Sequence, residues 1–299
     1  MFVLNVIKSV ILGIIEGITE WLPISSTGHM ILFDALWPMK VDSSFMDFFL
    51  VAIQLGAIVA VVLIYWNKIW PFHLKSTAVK PYFVSKNGKK PGAFKEWCNN
   101  YVHVDRFILW FKILVASIPA AVLGLAFDDQ IDAMLTGDSR AYVVGATLII
   151  YGILFIIIEK TEKKESILET GDLTYKTALL IGLMQCLALV PGTSRSGTTI
   201  LGAMLLGCSR TVAAEFSFFL SIPAMAGGSG IKLLKFLSDG NAFSGEELII
   251  LAVGSVVAFV VSVLAIKFLI SYIRRHDFKV FGYYRIVLGL IVLLYFALV

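Results

Sequence analysis

The sequence has few charged residues. They make up 15% of its 299 residues, whereas a soluble domain carries about 25%. Hydrophobic residues make up 58%, and a soluble fold has too thin a polar shell to cover that much apolar surface. The alternation over about ten residues that marks barrel strands is also missing. We therefore predict an all-α, polytopic membrane protein that forms one integral membrane domain over residues 1–299.

Cysteine is scarce as well. The three cysteines, Cys98, Cys186 and Cys208, include no CxxC pair, so neither a disulfide framework nor a zinc site is indicated. The chain lacks the GxxxxGK[ST] pattern of nucleotide-binding loops, and its small net charge of +4 gives no indication of nucleic acid binding. No small-residue cleavage site follows the apolar N-terminal stretch, so we expect no cleaved targeting peptide.

Six apolar stretches are long enough to cross roughly 30 Å of hydrocarbon as helices. They cover residues 46–66, 107–127, 141–158, 214–236, 248–271 and 283–299. Two further apolar regions, 2–37 and 176–208, are each interrupted by proline, glycine and polar residues. Because backbone at membrane depth must be hydrogen-bonded, such interruptions persist only inside protein or along a wet cavity. We predict that both regions form re-entrant helix–loop–helix hairpins.

Lysine and arginine are unequally divided between alternate loops of this topology. One set of loops contains 16 of them and the other set contains 2. The rich set is 67–106, 159–176 and 272–285, and the poor set is 37–46, 128–140 and 237–247. Because cytoplasmic loops carry the excess of positive charge, we predict that the rich set is cytoplasmic and that both termini lie outside.

The two halves of the chain share a weak repeat. A shift of 168 residues, with a slip of one residue, lays the turn at 23–28 over the turn at 191–197. Each half then holds one hairpin and three spans, and because three is odd, the second half enters from the opposite face. We predict an inverted-topology repeat of residues 1–158 and 174–299, with the site between the broken helices.

Two acids stand near the end of the first apolar stretch. Glu16 and Glu20 are four residues apart and therefore share one helix face. Ionisable groups inside a membrane usually face an interior cavity and mark function. The alternative is that both acids lie at a helix end and face the aqueous surface.

A hydroxyl-rich turn follows the acids. Ser25, Ser26 and Thr27 offer three hydroxyls, which are alternatively caps at the start of a helix. His29 offers an imidazole whose pKa carboxylates and burial tune, although a lone histidine is more often a satisfied interior residue. Beside two acids it becomes a candidate acid or base.

The second interrupted region carries an arginine among small polar residues. Arg195 stays protonated and presents a planar fork that suits phosphate oxygens. Its neighbours Thr193, Ser194, Ser196 and Gly197 let backbone N–H groups approach an anion, and the following helix start attracts negative charge. The alternative is a structural salt bridge between this arginine and an acid of the first hairpin.

These motifs resemble the undecaprenyl-diphosphatase family, the bacitracin-resistance proteins of the BacA type. The resemblance rests on EGITEWLPISSTGH at 16–29, PGTSRSG at 191–197 and EFSFFLSIPAM at 215–225. It extends over nearly the full length. It implies an enzyme of the bacterial inner membrane, with its site on the outer side, that removes a phosphate from a polyprenyl diphosphate and so recycles the cell-wall lipid carrier.

The resemblance also implies site residues and a cofactor. The family's motif residues correspond to Glu16, Glu20, Ser26, His29 and Arg195. We expect the arginine and its loop to bind the diphosphate, with Mg²⁺ or Ca²⁺ on the two glutamates. The serine is the first candidate nucleophile, direct attack by water the second, and the histidine the third. A homodimer is left open.

A second hypothesis is a transporter or flippase for a lipid phosphate. Inverted repeats and broken helices are transporter features, whereas an enzyme needs no such symmetry. An ion channel is not supported, because the sequence has no ring of charges and no repeated filter.

Overall fold

The computed structural model describes residues 1–74, 81–84, 92–127, 130–131, 133, 139–161 and 165–298. Within these residues the chain is helical, and two isolated bridges are its only β contacts. The helices are α1 (Phe2–Thr19), α2 (Ser26–Leu36), α3 (Ser43–Ile64), α4 (Trp66–Ile69), α5 (Ala93–Tyr101), α6 (Val104–Ala126), α7 (Arg140–Lys160), α8 (Tyr175–Gln185), α9 (Arg195–Leu205), α10 (Arg210–Ser238), α11 (Gly245–Ile273) and α12 (Lys279–Leu298). The prediction of an all-α polytopic membrane protein is confirmed.

Six helices correspond to the six predicted spans. They are α3, α6, α7, α10, α11 and α12, and each is long and apolar enough to cross a membrane. Helix α1 is a seventh of this kind among the described residues, with 18 residues. It stays continuous because most of the polar, proline and glycine residues that interrupt this region follow its C-terminal end.

Both interrupted regions fold as a helix, a turn and a second helix. In the first, α1 leads through residues 20–25 into α2; in the second, α8 and the 3₁₀ segment Cys186–Leu189 lead through residues 190–194 into α9. Helices α2 and α9 have 11 residues each. At 1.5 Å per residue each spans roughly 16 Å, about half the hydrocarbon thickness. The helix–loop–helix form is present, and re-entrant insertion stays a prediction.

The outward faces of the long helices are apolar. Val122 of α6, Leu264 of α11 and Leu294 of α12 are 58%, 65% and 61% exposed. Soluble monomers rarely show such faces, whereas a lipid-facing surface requires them. The interior holds aromatic rings instead, among them the fully buried Phe49 and Phe216.

Helices α7 and α12 pack closely in opposite directions. Gly145 meets Gly289 at one level, and Gly152 meets Gly282 at the other. A Cβ atom added to Gly152 would lie 2.7 Å from the carbonyl oxygen of Gly282, and the reverse distance is also 2.7 Å. Real Cβ atoms do not approach that closely, so this backbone contact depends on glycine.

The remaining large contacts join the two halves of the chain. Helix α1 runs parallel to α11, with Gly13 and Gly17 at the contact, and α8 runs parallel to α6, with Gly182 at the contact. Helices α3 and α10 are antiparallel, and Ser229 Oγ donates a 3.0 Å hydrogen bond to the carbonyl oxygen of Val51. In the predicted repeat α1 and α6 correspond to α8 and α11, so the two parallel contacts are equivalent. The contact of α3 with α10 joins a helix to its own counterpart, as two halves related by a two-fold axis would. The division into inverted repeats stays a prediction.

Arg285 requires one correction. The loop-charge count assigns it to loop 272–285, and that assignment is wrong, because Arg285 lies inside α12 and is fully buried. Both of its Nη atoms donate hydrogen bonds to carbonyl oxygens of the two hairpin turns. The asymmetry between the loop sets survives its removal. Seven of the other counted lysines lie outside the described residues, namely Lys75, Lys80, Lys86, Lys89, Lys90, Lys163 and Lys164.

Candidate active site

The turns of the two hairpins end in the same backbone conformation. A serine with positive φ precedes the second helix of each hairpin: Ser25 with φ 71° before α2, and Ser194 with φ 70° before α9. Residues other than glycine rarely adopt this conformation, which costs roughly 1–3 kcal/mol and persists where the surroundings demand it. The next residue is Ser26 in one hairpin and Arg195 in the other. The two turns therefore present these side chains from equivalent positions.

Both side chains meet on the carboxylate of Glu20. Ser26 Oγ donates a hydrogen bond of 3.0 Å to Glu20 Oε2. Arg195 Nη2 lies 3.0 Å from Glu20 Oε1 in a salt bridge. Arg195 Nη1 donates to the carbonyl oxygen of Ser217 in α10 at 2.8 Å. The structure thus brings the arginine of the second hairpin onto an acid of the first.

Glu16 lies one helical turn before Glu20. Both side chains are buried, with 1% and 7% of their surface exposed, so the alternative of two acids at the aqueous surface is wrong. Glu16 Oε1 has no hydrogen-bond partner among the described residues. A buried pair of acids therefore offers an oxygen that is free to bind something else.

This pair fits a divalent cation in part. Carboxylate oxygens are the ligands that Mg²⁺ and Ca²⁺ prefer, and Mg²⁺ in phosphate-handling sites takes one or two of them plus phosphate and water. Among the described residues no cluster of three or more histidine, cysteine or acidic side chains occurs. Glu16 and Glu20 would supply only part of the coordination shell, and a phosphate ligand would supply the rest.

The hydroxyls of the second turn mainly hold that turn together. Ser194 Oγ accepts a 3.2 Å hydrogen bond from the N–H of Gly197 and caps α9. Ser196 Oγ lies 3.1 Å from Ser194 Oγ and 3.4 Å from the carbonyl oxygen of Leu22 in the first turn. Thr193 Oγ1 donates to two carbonyl oxygens of the same segment. Ser194 is therefore a helix cap, a role that the sequence indicates as an alternative only for the hydroxyls of the first turn, where Ser25 makes no side-chain cap bond.

The first turn contains a side-chain hydroxyl that makes no hydrogen bond among the described residues. Ser25 Oγ is fully buried and has no hydrogen-bond partner among the described residues. Thr27, on the first turn of α2, is half-buried. A buried hydroxyl without a partner costs about 1–3 kcal/mol, so the Ser25 hydroxyl is a group that a polar ligand can satisfy.

His29 lies apart from the acids. Its Nδ1 is 2.8 Å from the carbonyl oxygen of Ser25, and its Nε2 is 2.7 Å from Tyr284 Oη in α12. The structure places no hydrogen bond between the imidazole and Glu16 or Glu20. The sequence motif gave no sign of the tyrosine, because 255 residues separate it from the histidine.

Arg285 is the largest feature that the motifs did not indicate. Its Nη1 donates to the carbonyl oxygen of Pro23 at 3.1 Å. Its Nη2 donates to the carbonyl oxygens of Gly192 and Thr193, each at 2.9 Å. The guanidinium carbon lies 5.4 Å from the ring centre of Tyr151, and the described residues place no carboxylate in an ion pair with it. One buried cation therefore ties together the turns of both hairpins.

A sequence signal for Arg285 does exist. Helix α12 starts at Lys279, six residues before Arg285, so this arginine lies inside a span and not at its edge. An intramembrane arginine marks function or a buried partner by default. The predicted loop 272–285 overlaps the predicted span 283–299, so the loop-charge count includes Arg285 and hides that signal.

Aromatic and hydroxyl groups support Arg195 from behind. Its guanidinium carbon lies 6.0 Å from the ring centre of Trp21, which is fully buried and meets Phe218 edge to face. Ser217, whose carbonyl oxygen binds the guanidinium, also places its Oγ 2.6 Å from Thr199 Oγ1. The arginine is therefore fixed from several sides, as a preorganised binding group must be.

Comparison with known proteins gives a family match and close relatives. The family model described as bacitracin resistance protein BacA matches residues 9–291. A protein named undecaprenyl-diphosphatase from Acetivibrio thermocellus is 52% identical over 298 residues, covering 99% of each chain. A protein of the same name from Enterococcus faecalis is 52% identical over 297 residues, again covering 99% of each. Undecaprenyl-diphosphatase 1 of Clostridioides difficile is 52% identical over 295 residues, covering 99% of this chain and 97% of the relative.

Proposed function

Since this chain belongs to the bacitracin resistance protein BacA family, we propose that it is a membrane phosphatase that hydrolyses undecaprenyl diphosphate to the monophosphate and inorganic phosphate. The observation that carries the proposal is the carboxylate of Glu20, which accepts Ser26 on one oxygen and Arg195 on the other. A base, a candidate nucleophile and a phosphate-binding cation thus converge on one point, as phosphoryl transfer requires. The product is the lipid carrier of cell-wall polymerisation.

The diphosphate head binds between the two turns, and the apolar tail stays in the bilayer. Arg195 keeps Nη1 on the carbonyl oxygen of Ser217 and moves Nη2 from Glu20 to the terminal phosphate. Its Nε, which has no partner among the described residues, supplies the second of two parallel hydrogen bonds. The N–H groups at the start of α9 and the hydroxyl of Ser25 add neutral donors. Ser194, Ser196 and Thr193 shape this cradle, and the half-buried Thr27 lines its other side.

A divalent cation, Mg²⁺ or Ca²⁺, is the proposed cofactor. Glu16 and Glu20 are its protein ligands, and the unpartnered oxygen of Glu16 supports that assignment. The cation supplies charge that neutralises the phosphate oxygens as they pass through the transition state. Without it, two buried acids would repel the diphosphate.

Ser26 is the first candidate nucleophile. Its Oγ lies 3.0 Å from Glu20 Oε2, so the carboxylate can take the hydroxyl proton as the oxygen attacks the terminal phosphorus. The bond from that phosphorus to the bridging oxygen breaks, undecaprenyl phosphate leaves, and a phosphoserine remains. Glu20 passes its proton to the departing undecaprenyl phosphate. The regenerated carboxylate then takes a proton from a water, which attacks the phosphoserine and releases inorganic phosphate. The contact with Glu20 favours the serine over direct attack by water and over His29, whose Nε2 is occupied by Tyr284.

The setting of the enzyme is proposed along with its chemistry. We place it in the bacterial inner membrane with both termini outside and the site open to the outer side. The loop-charge asymmetry supports the direction of the spans. The antiparallel contacts of α3 with α10 and of α7 with α12 support inverted repeats of residues 1–158 and 174–299. The number of chains in the active particle stays open between monomer and homodimer.

Phosphate release by the purified protein tests the function. In detergent, with undecaprenyl diphosphate and Mg²⁺, we expect release of one phosphate per lipid and formation of the monophosphate. A chelator should stop the reaction, and added Mg²⁺ or Ca²⁺ should restore it. Lipid binding without phosphate release in the presence of either cation would contradict the proposal.

A lipid-phosphate transporter is the second candidate, and the pairing of the two halves is the observation that favours it. Vesicles that contain the protein and a headgroup-labelled, non-hydrolysable analogue separate the two functions. Movement of the analogue between leaflets without hydrolysis of the natural lipid supports the transporter. Hydrolysis without movement supports the phosphatase alone.

A further inference from the structure

The imidazole of His29 is held at both ends. Its Nδ1 lies 2.8 Å from the carbonyl oxygen of Ser25, which can only accept a hydrogen bond. Nδ1 therefore carries a hydrogen atom. In the neutral ring the other nitrogen, Nε2, has a lone pair, and the hydroxyl of Tyr284 lies 2.7 Å from it. The hydrogen-bond pattern thus assigns the tautomer and makes Tyr284 the donor to Nε2.

The two rings also support each other's orientation. Their centres are 5.7 Å apart and their planes differ by 11°. Helix α12 carries Tyr284 directly before Arg285, whose guanidinium binds both hairpin turns. The tyrosine therefore belongs to a helix that is hydrogen-bonded to both hairpin turns, and its hydroxyl lies beside the histidine.

We propose that Tyr284 is a positioning residue for the phosphatase reaction, acting through His29. The Tyr284 hydroxyl binds Nε2, the basic nitrogen of His29, and holds it away from Ser26. Glu20, not His29, then accepts the proton of Ser26. The site then has two separate groups that can accept a proton: Glu20 accepts the proton of the nucleophile, and His29 Nε2 accepts a second proton, such as the one that hydrolysis of the diphosphate releases. This inference rests on the proposed function.

A purely structural role for Tyr284 makes a different prediction. The side chain is 46% exposed, so loss of its hydroxyl leaves no large cavity and exposes no core. If the tyrosine only packed against the histidine, Tyr284→Phe would keep the stacked ring and change nothing. If the tyrosine positions Nε2, Tyr284→Phe removes the hydrogen bond from the hydroxyl to Nε2 and should change turnover.

Nitrogen NMR of the imidazole tests the contact without any substrate. The chain has four histidines, so histidine labelled with ¹⁵N gives few ring signals, and His29→Gln identifies those of His29. We expect a protonated Nδ1 and a hydrogen-bonded, unprotonated Nε2 in the wild type. In Tyr284→Phe the Nε2 signal should move towards the position of a free lone pair. An unmoved Nε2 signal would overturn the proposal.

Turnover tests the consequence. We expect Tyr284→Phe to lower kcat roughly tenfold while KM for undecaprenyl diphosphate changes by less than about twofold. The matched control is Tyr283→Phe, the adjacent and more exposed tyrosine, at 55%, which should behave as the wild type. The thermal unfolding midpoint of both variants should stay unchanged, which separates positioning from lost stability.

A double-mutant cycle separates action through His29 from independent action. In a His29→Ala background, Tyr284→Phe should cause no further loss of kcat beyond about twofold, because residues that act as one unit are not additive. Multiplying losses would contradict the proposal. If wild-type protein releases no phosphate at all, the proposed function fails, and the NMR result still decides whether Tyr284 holds the histidine.

Discussion

The two hairpin turns end in the same backbone conformation and differ in chemistry. Ser25 and Ser194 have φ angles of 71° and 70°, and each precedes a helix of 11 residues. The first turn follows two acids and continues into a serine, whereas the second continues into an arginine. In the proposed function, one turn therefore supplies the base and the candidate nucleophile, and the other supplies the anion-binding cation.

The residues that follow Ser25 and Ser194 show how the chemical difference between the turns forms the proposed site. Ser26 and Arg195 are equivalent in the repeat, and both reach the same carboxylate from opposite hairpins. The acid itself has no counterpart, because a shift of 168 residues lays Glu20 over Ala188. In the predicted repeat, symmetry brings the two turns together, and departure from symmetry at these two positions makes the proposed site. Substitutions in each turn test this division.

Removal of the cation should have the largest effect. We expect Arg195→Ala to lower kcat/KM roughly 10³-fold or more, because an arginine on the transferred phosphate contributes about that much. Arg195→Lys keeps the charge and loses the fork, so it should fall between the wild type and the alanine variant. The control is Arg210→Ala, which breaks a salt bridge to Glu159 far from the turns. Near-normal phosphate release by folded Arg195→Ala protein would remove the phosphate-binding role of the second turn.

Removal of the nucleophile should come next. We expect Ser26→Ala to lower kcat by roughly 10²-fold or more and to abolish labelling of the protein by substrate that carries ³²P in its terminal phosphate. Ser238→Ala, at an exposed serine of α10, is the control. Label that persists in Ser26→Ala and disappears in His29→Ala would move the nucleophile to the histidine. A large rate loss with no label in either protein would favour direct attack by water.

Loss of the link between the turns should act on stability first. Arg285→Met leaves three buried carbonyl oxygens without donors, each worth about 1–3 kcal/mol. We expect a clear fall in the thermal unfolding midpoint and about tenfold lower kcat, because the turns lose their common anchor. Arg285→Lys keeps the positive charge but makes fewer hydrogen bonds, so it should lower the unfolding midpoint less. This variant provides the test if Arg285→Met does not fold. An unchanged midpoint in Arg285→Met would show that the turns hold their places independently.

Much of this architecture was predictable, because a membrane imposes length and hydrogen bonding on every span. The six spans follow from apolar length alone, and the interruptions at Pro23 and Pro191 indicate both hairpins. The motifs also indicate that Arg195 meets an acid of the other hairpin, since a lone arginine in hydrocarbon is costly.

The contacts that were missed involve residues far apart in the chain. Tyr284 and Arg285 stand side by side in an apolar run, and nothing local shows that one reaches His29 and the other both turns. Helix α1 was expected to be only one limb of a hairpin, although it is also long enough to span a membrane. Periodicity and composition describe each segment well, whereas the pairing of segments depends on packing.

The smallest expected effect is a difference in stability between glycine substitutions at Ser25 and at Ser194, the two serines with positive φ. Glycine adopts positive φ without strain, which recovers roughly 1–2 kcal/mol against an entropy cost of about 0.5–1 kcal/mol. At Ser25 the substitution also removes a buried hydroxyl that has no partner among the described residues. At Ser194 it removes the hydroxyl that accepts from Gly197. We therefore expect Ser25→Gly to stabilise the ligand-free protein by about 1 kcal/mol more than Ser194→Gly does.

Paired thermal unfolding curves in detergent, without substrate, measure this difference. A gain of about 1 kcal/mol corresponds to roughly 2 °C in the midpoint for a chain of this size. The order should change when a non-hydrolysable diphosphate is present, because a ligand that binds the Ser25 hydroxyl stabilises only the protein that retains it. Equal shifts for Ser25→Gly and Ser194→Gly under both conditions would mean that the two turns differ in charge alone, and that the unsatisfied hydroxyl of the first has no part in binding.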